Sequence, residues 1–244
     1  MVVETGVELI SSVVLDGRTR IGAGTRIWPF ATIGTGPQDL KYKGQPTGCE
    51  VGPRCIIREG ATINRGSLGG DGYTRVGADC MFMTMAHVGH DSQLGDGVIL
   101  ANNVMLGGHV HIGDYSFLGG AAAVVQFGHI GRLAMISGMS QVIADVPSFA
   151  YVHGHPGRLV GLNVIGMRRR GYKIEQVRRL RMLVKLLFRT EGVFADRLLL
   201  AHAEFGSHPE AREVLEFIAA PRGKRALMRW GRMSSSETEN EDDE

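Results

Sequence analysis

The sequence is poor in cysteine and contains no long apolar run. Its only three cysteines are Cys49, Cys55 and Cys80, and their spacing matches neither a disulfide framework nor a thiolate zinc site. No stretch approaches the roughly 20 apolar residues that cross a bilayer, and the N-terminus lacks the pattern of a signal peptide. We therefore expect a cytoplasmic protein without an integral membrane segment.

The chain also has little net charge, +2 at pH 7, but that charge is unevenly distributed. Six of its 25 acidic residues fall within residues 234–244, which contain no apolar anchor and are predicted to form a disordered acidic tail. The rest of the chain is basic, with arginines concentrated in segments 168–170 and 178–181. This excess of positive charge favours an acidic partner or a phosphorylated substrate, and we expect no nucleic acid.

What the sequence has in abundance is a six-residue repeat. From Val76 to Pro147, twelve consecutive hexads each begin with an apolar residue, and the fifth residue of each is small. This pattern predicts a mainly β fold, a hexapeptide-repeat solenoid in which each hexad forms one short strand and one corner. Three hexads close a triangular coil, so each residue should lie beneath the residue 18 positions later, about 4.8 Å away. Glycine often follows the first residue of a hexad, where we expect it to supply backbone angles that other residues resist.

Two segments interrupt the repeat, and the C-terminal part of the chain abandons it. Residues 35–50 and 69–75 fit no hexad and are predicted to form loops suited to functional groups. Residues 1–150 are therefore assigned to the solenoid. In residues 151–233 the apolar spacing becomes helical, with helices predicted over 174–189, 193–204 and 209–219. This C-terminal helical domain is expected to cover the open end of the solenoid, where unpaired strand edges would otherwise be exposed.

The 18-residue rule brings one group of polar residues together. His90 should lie beneath Gly108, and Gly108 beneath Gln126, while Asp91 should lie beneath His109. An imidazole has an unperturbed pKa of about 6.5 and is an effective general base near neutral pH. Because glycine allows close approach to its backbone N–H, His90 and Gly108 form the pattern of a base beside an oxyanion donor.

Five segments show a more specific resemblance. They are QDLKYKGQPT (38–47), IREGATINRGS (57–67), MAHVGHDSQLG (85–95), ILANNVMLGGHVHIGD (99–114) and NVIGMRRRGY (163–172). Together they resemble the UDP-N-acetylglucosamine 3-O-acyltransferases of lipid A biosynthesis. The resemblance implies a homotrimer of left-handed parallel β-helices, each with a C-terminal α-helical domain, and active sites in the clefts between subunits. It implies no cofactor and no metal.

The resemblance also implies a reaction. A 3-hydroxyacyl chain on acyl carrier protein is transferred to the 3-position of UDP-N-acetylglucosamine, with His90 as general base, Asp91 orienting its imidazole and the Gly108 N–H receiving the oxyanion. Four residues are matched to the sugar and acyl groups: Asp39, Lys41, His87 and His109. Four are matched to the nucleotide: Gln126, Asn163, Arg169 and Arg170. Gly138 falls where the family sets acyl-chain length, and a glycine there implies room for a longer chain.

Two positions depart from the family pattern and leave alternatives open. Val125 replaces the usual histidine before Gln-Phe, and Ile165 replaces the usual glutamate in the segment NVIG. Both belong to the nucleotide-sugar side of the predicted cleft, so a paralogue with a different nucleotide-sugar acceptor, or a non-catalytic binding protein, stays open. A zinc-dependent trimer of the carbonic anhydrase type also stays open, with three nitrogen ligands supplied by His87, His90 and His109.

Overall fold

The structure is a triangular solenoid of short strands followed by four helices. The computed structural model describes residues 1–220 and 225–231. The strands are β1 (Val2–Val3), β2 (Glu8–Leu9), β3 (Val14–Leu15), β4 (Arg18–Ile21), β5 (Arg26–Ile27), β6 (Thr32–Thr35), β7 (Gly48–Val51), β8 (Ile56–Ile57), β9 (Thr62–Asn64), β10 (Tyr73–Val76), β11 (Met81–Phe82), β12 (His87–Val88), β13 (Gln93–Leu94), β14 (Ile99–Leu100), β15 (Met105–Leu106), β16 (His111–Ile112), β17 (Phe117–Leu118), β18 (Ala123–Val124), β19 (His129–Ile130), β20 (Met135–Ile136), β21 (Gln141–Val142), β22 (Ala150–His153) and β23 (Arg158–Leu162). The helices are α1 (Val164–Arg169), α2 (Ile174–Phe188), α3 (Phe194–Phe205) and α4 (Pro209–Ala219).

Three sheets form the sides of the triangle. The first contains β1, β4, β7, β10, β13, β16 and β19; the second contains β2, β5, β8, β11, β14, β17, β20, β22 and β23; the third contains β3, β6, β9, β12, β15, β18 and β21. The pairs Gln93 with His111 and Met105 with Ala123 show the predicted 18-residue step between coils. The hexapeptide solenoid predicted from the repeat is confirmed.

The hexad pattern also explains the core. From β5 to β21 the second residue of each two-residue strand is buried, so that Phe82, Leu100, Leu118 and Ile136 stack in successive coils, each exposed by no more than 1%. Removing an apolar side chain of this size from water stabilises a fold by about 1.5–3 kcal/mol. The repeated apolar residue therefore builds one continuous core along the axis of the solenoid.

The glycines of the repeat have a different role from the one expected. Those that follow the first residue of a hexad have no left-handed backbone, but a Cβ on Gly89 would lie 2.6 Å from the carbonyl carbon of Gly107 in the next coil. They are needed because successive coils approach closely. The left-handed conformation occurs two residues later, at the fourth position, and non-glycine residues adopt it there: Asp91 (φ 58°), His109 (φ 58°) and Phe127 (φ 63°).

These left-handed positions mark the three corners of the triangle, which we name for clarity. The site corner joins the third sheet to the first and contains Asp91, His109 and Phe127. The helix corner joins the first sheet to the second and contains Tyr115, Leu133 and Phe149. The distal corner joins the second sheet to the third and contains Phe30, Met85, Asn103, Ala121 and Met139.

Two loops leave the coil at the site corner. Residues 36–47 join β6 to β7, and residues 65–72 join β9 to β10. The predicted loops, 35–50 and 69–75, are wrong at their ends, because their polar outer residues belong to strands. The four residues of β7 pair with the four residues of β10, from Gly48 with Tyr73 to Val51 with Val76. The loops therefore project from one corner without changing the order of the sheets.

The helices pack against the helix corner and not over the end of the solenoid as predicted. Their apolar side chains surround Leu133 and Phe149, because these two corner residues point away from the main core. The last coil is instead covered by the β22–β23 hairpin and by residues 225–231, which add Leu159 and Met228 to the main core. The edge of the sheets is thus protected by further strand pairing.

The secondary structure of the C-terminal region differs in part from the expected one. The segment 151–233 begins with β structure, because β22 and β23 continue the second sheet to Leu162, and the short helix α1 was not predicted. The three predicted helices correspond to α2, α3 and α4. The predicted acidic tail, 234–244, lies outside the described residues. Within the part of the chain that the structure describes, no helix is long and apolar enough to cross a bilayer, and the cytoplasmic location stays a prediction.

Candidate active site

The site corner places a buried histidine beside a cleft. His90 and Asp91 follow β12, and the left-handed backbone of Asp91 turns the chain from the third sheet into the first. The cleft has a volume of about 300 Å³ and opens onto the outer face of the third sheet. Its lining includes His87, His90, Gly108, Val125 and Gln126. The 18-residue rule therefore assembled the correct set of neighbours.

His90 and Asp91 form a hydrogen-bonded dyad. Nδ1 of His90 lies 2.8 Å from Oδ2 of Asp91, and the two residues are only 8% and 4% exposed. Since an ionised carboxylate only accepts hydrogen bonds, it fixes the ring proton on Nδ1 and leaves the lone pair of Nε2 free. In this tautomer Nε2 is the nitrogen of His90 that can act as a base.

Gly108 lies directly against the free edge of this imidazole. A Cβ on Gly108 would lie 2.6 Å from both Nε2 and Cε1 of His90, so that only glycine fits there without displacing the ring. Among the described residues, no acceptor is within hydrogen-bonding distance of the Gly108 N–H. A base and an unused backbone donor thus meet at one end of the cleft.

The two neighbouring histidines, His87 and His109, favour the neutral form. Burial lowers the pKa of His87, and His90 lowers it further. Burial lowers the pKa of His109 as well, against a smaller opposing effect of Asp91. His109 makes an edge contact with the His90 ring at 5.0 Å and stacks on Phe127 at 4.6 Å between ring centroids. Both imidazoles can therefore donate or accept a hydrogen bond at neutral pH without adding positive charge to the site.

The first loop carries the predicted residues Asp39 and Lys41. Its neighbouring residue Gln38 lines the cleft, and Asp39 is close enough to His109 to act on its pKa. The backbone N–H of Lys41 donates to Asp39 Oδ1 at 2.9 Å, while the Lys41 side chain is exposed. The structure thus places this loop beside the site corner.

The other predicted residues lie at different corners of the same chain. Gly138 is exposed at the distal corner, next to Met139. Asn163, Arg169 and Arg170 lie on or beside α1 at the helix corner, where Arg170 stacks on the ring of Tyr115. Of the four residues predicted to contact the nucleotide, a single chain therefore brings only Gln126 to the cleft that contains His90, and Gly138 also lies away from that cleft.

Asn163 has structural contacts that the sequence did not reveal. Its Oδ1 accepts a hydrogen bond from the Gly166 N–H at 2.9 Å and caps α1. Its Nδ2 donates to the carbonyl oxygen of Leu133 at 2.9 Å. Because both ends of the buried amide are occupied within the chain, Asn163 fixes α1 to the helix corner, and its contact with a nucleotide stays a prediction.

The zinc alternative is not favoured by the geometry. Among the described residues, only His90, Asp91 and His109 bring potential ligand atoms together, within 4.8 Å of one another. His87 is not a member of this group, and its Nδ1 lies 2.7 Å from Thr62 Oγ1. The 2.8 Å between His90 Nδ1 and Asp91 Oδ2 is shorter than the roughly 3.4 Å that separates two ligands of a tetrahedral zinc ion.

Sequence reasoning missed several residues of the site. Asn64 and Gln141 also line the cleft, and Ser67 donates two hydrogen bonds to Asp91. Ser67 and Gln38 fall in the loops, where no 18-residue rule applies. Ser67 lies in the segment IREGATINRGS and Gln38 in the segment QDLKYKGQPT. Both segments resemble the family, and this resemblance is the signal that could have identified the two residues.

The fold and the site together define an acyltransferase of the hexapeptide-repeat class. Residues 73–108 match the family model described as bacterial transferase hexapeptide (six repeats). Residues 145–228 match the second domain of UDP-N-acetylglucosamine O-acyltransferase. The first match lies within the solenoid, and the second begins in its last coil.

Curated relatives and solved structures identify the family. Acyl-[acyl-carrier-protein]–UDP-N-acetylglucosamine O-acyltransferases from Anaeromyxobacter sp. (strain Fw109-5) and Agrobacterium fabrum are 45% and 44% identical over 84% and 85% of this chain, and over 79% and 77% of their own lengths. The crystal structure of the UDP-N-acetylglucosamine acyltransferase from Bacteroides fragilis superimposes with a TM-score of 0.88 at 31% identity, covering 92% of this chain and 87% of that one. The chain belongs to the acyl-[acyl-carrier-protein]–UDP-N-acetylglucosamine O-acyltransferase family, and its solenoid is a left-handed parallel β-helix.

Proposed function

We propose that this acyltransferase moves a 3-hydroxyacyl chain from acyl carrier protein to the 3-hydroxyl of UDP-N-acetylglucosamine, the first step of lipid A biosynthesis. The observation that supports this most directly is the dyad of His90 and Asp91 with the Gly108 N–H against its free edge. The names of the curated relatives supply the two substrates. The residues of the site supply the chemistry.

The proposed mechanism uses His90 twice. Nε2 of His90 removes the proton from the sugar hydroxyl while the oxygen attacks the thioester carbonyl. The tetrahedral oxyanion accepts a hydrogen bond from the Gly108 N–H, and Asp91 stabilises the imidazolium. Collapse of the intermediate breaks the carbon–sulfur bond, and His90 returns the proton to the thiolate of the carrier. No electrons are exchanged, and no group beyond the two substrates is required.

A homotrimer is part of the proposal, because the predicted site residues lie at three corners of one chain. In a trimer with threefold symmetry, the site corner of one subunit can meet another corner of its neighbour. The outer face of the second sheet supports such contacts with a half-buried apolar stripe: Ile56, Met81, Ile99, Phe117, Met135 and Tyr151. Sedimentation of the full chain at micromolar concentration should show a trimer. A monomer would contradict the proposal, because most of the predicted nucleotide residues would then not meet the cleft of His90.

The acidic carrier protein is proposed to dock on α2. Arg178 and Arg181 are exposed on this helix, one turn apart, and Lys185 follows on the same face. Arg179, which also belongs to the arginine-rich segment, pairs with the buried Glu210 of α4. It therefore holds two helices together and is not free for a partner. The charge attraction of the remaining basic side chains should steer an acidic protein to this face.

The decisive experiment is acyl transfer by purified protein with 3-hydroxyacyl carrier protein and UDP-N-acetylglucosamine. We expect His90→Ala to lower the rate by about 100- to 10,000-fold, because a general base is removed, and Asp91→Asn to cost less. His202→Ala, on the exposed face of α3, is the matched control and should keep full activity. The proposal would be wrong if His90→Ala kept more than half of the wild-type rate.

A further inference from the structure

The carboxylate of Asp91 is held by a residue outside the repeat. Ser67, in the second loop, donates to Oδ2 of Asp91 from its backbone N–H at 2.8 Å and from its hydroxyl at 2.9 Å. This is the same oxygen that accepts the hydrogen bond from His90 Nδ1. Ser67 is only 2% exposed, so neither bond competes with bulk water.

The base of the loop fixes the position of Ser67. The Gly66 N–H donates to the carbonyl oxygen of Gly48 at 3.0 Å, and the Gly48 N–H donates to that of Gly72 at 2.9 Å. A Cβ on Gly66 would lie 2.2 Å from the carbonyl carbon of Gly72, so that the two ends of the loop meet in close contact. The adjacent Arg65 anchors this base to the coil by donating to the carbonyl oxygen of Gly34 at 2.9 Å.

The other carboxylate oxygen of Asp91 explains why the hydrogen bonds from Ser67 matter. Oδ1 of Asp91 is buried and has no hydrogen-bond partner among the described residues. His109 also lies near the carboxylate, with Nε2 3.8 Å from Oδ2. A carboxylate with one unpaired oxygen and a second imidazole within reach can rotate away from His90. Both hydrogen bonds from Ser67 are made to Oδ2, and they oppose that rotation.

We propose that Ser67 is a positioning residue, which holds Asp91 in the orientation that keeps the proton of His90 on Nδ1. The inference rests on the proposed function only for its effect on the rate. The geometry it describes, a carboxylate fixed from outside the repeat, is independent of the substrate. The charged and titratable groups facing His90 are Asp91, His109 and His87, with Asp39 beyond His109.

The variants Ser67→Ala and Ser67→Thr separate the hydroxyl from the backbone N–H. Loss of a hydrogen bond to a charged group should lower kcat about tenfold, with KM for either substrate changed less than twofold. With Asp91 free to turn away, His90 loses the carboxylate that stabilises its protonated form, so the acidic limb of the pH–rate profile should move to lower pH. Ser67→Thr keeps a hydroxyl and should restore most of kcat and the wild-type profile.

Ser116→Ala is the matched control. Ser116 is fully buried and its hydroxyl donates to the carbonyl oxygen of Gly131 at 2.8 Å; it follows Tyr115 at the helix corner, whereas the dyad lies at the site corner. We expect it to lower thermal stability as Ser67→Ala does, with kcat and the pH–rate profile unchanged. A merely structural role for Ser67 would make the two variants alike.

A measurement without substrate distinguishes this inference from the proposed function. In protein labelled with ¹³Cε1-histidine, the His90 signal is assigned by its absence in His90→Ala, and its titration midpoint should move to lower pH in Ser67→Ala. A moved midpoint with unchanged kcat would support the hold on Asp91 and contradict the catalytic role of the dyad. An unmoved midpoint, with the pH–rate profile of the wild type, would overturn the inference.

Discussion

The substitution Gly108→Ala tests the structure most directly. Gly108 occupies the third position of its hexad and has no left-handed backbone, so alanine meets no conformational obstacle there. The obstacle is the His90 ring, because the new Cβ would lie 2.6 Å from Nε2 and Cε1. Ordinary contacts between such atoms are about 3.5–4.0 Å. The ring or the coil must therefore move by about 1 Å.

The size of the effect follows from that displacement. Misplacing a reacting group by about 1 Å costs on the order of 100-fold in rate, and loss of an oxyanion donor costs about 100- to 1,000-fold. The methyl group causes both effects at one place, so they do not multiply. We expect kcat to fall by about 100- to 1,000-fold, with little change in KM for either substrate, because the contacts that bind the substrates elsewhere are untouched.

The assay is steady-state acyl transfer from 3-hydroxyacyl carrier protein, with product measured by mass spectrometry. Gly120→Ala is the matched control, since Gly120 also occupies the third position of a hexad but its Cβ would meet only the carbonyl oxygen of Asn102, at an ordinary 3.5 Å. This control should be folded and thermally stable. If Gly108→Ala retained more than half of the wild-type kcat, the assignment of Gly108 beside the base would be refuted.

Three further predictions concern the partner, the acceptor and the core. Charge reversal by Arg178→Glu with Arg181→Glu should raise KM for the acyl carrier protein severalfold and weaken its dependence on salt, because the exposed pair steers an acidic protein; an unchanged KM would remove α2 as the docking face. Val125→His with Ile165→Glu should lower KM for UDP-N-acetylglucosamine by about 5- to 150-fold, since each of the two restored hydrogen bonds contributes about 0.5–1.5 kcal/mol. Weaker binding by this double variant would indicate apolar residues fitted to another acceptor, which a panel of UDP-sugars including the 3-amino analogue would identify. Leu118→Ala should lower the free energy of unfolding by about 2–5 kcal/mol in thermal denaturation, because Leu118 is fully buried in the solenoid core.

The repeat predicted the fold well because it is a local pattern with one geometric solution. Phe82, Leu100 and Leu118 recur at 18-residue spacing and stack as expected. The role of the glycines was mistaken, because contact between coils depends on backbones that are distant in sequence. The place of the helices was mistaken for a similar reason. Leu133 and Phe149 are apolar, but so are Phe127 and Met139 at the other corners, and nothing local indicates that Leu133 and Phe149 face the helices.

The same distinction between local and long-range contacts applies to the residues of the candidate site. His90, Gly108 and Gln126 follow the coil and were placed together correctly by counting. Ser67 contacts Asp91 from a loop whose course the repeat does not determine, so counting residues along the coil could not predict this contact. Arg179 looked like part of a basic surface, but its partner Glu210 is on another helix and is buried. Long-range pairs of this kind are visible only in three dimensions.

The two loops at the site corner also have a consequence for how new specificities arise. Each begins and ends at paired strands, with Ile33 opposite Ile63 before the loops and Val51 opposite Val76 after them. Doubling the length of such a loop costs only about 0.6 kcal/mol in closure entropy. Insertions and deletions between residues 36 and 47 can therefore alter the walls around His90, while the strand pairing and the packing of the hydrophobic layers in the solenoid stay unchanged. A library of grafted loops of different length at this corner should yield folded enzymes with altered acceptor preference far more often than substitutions in the core.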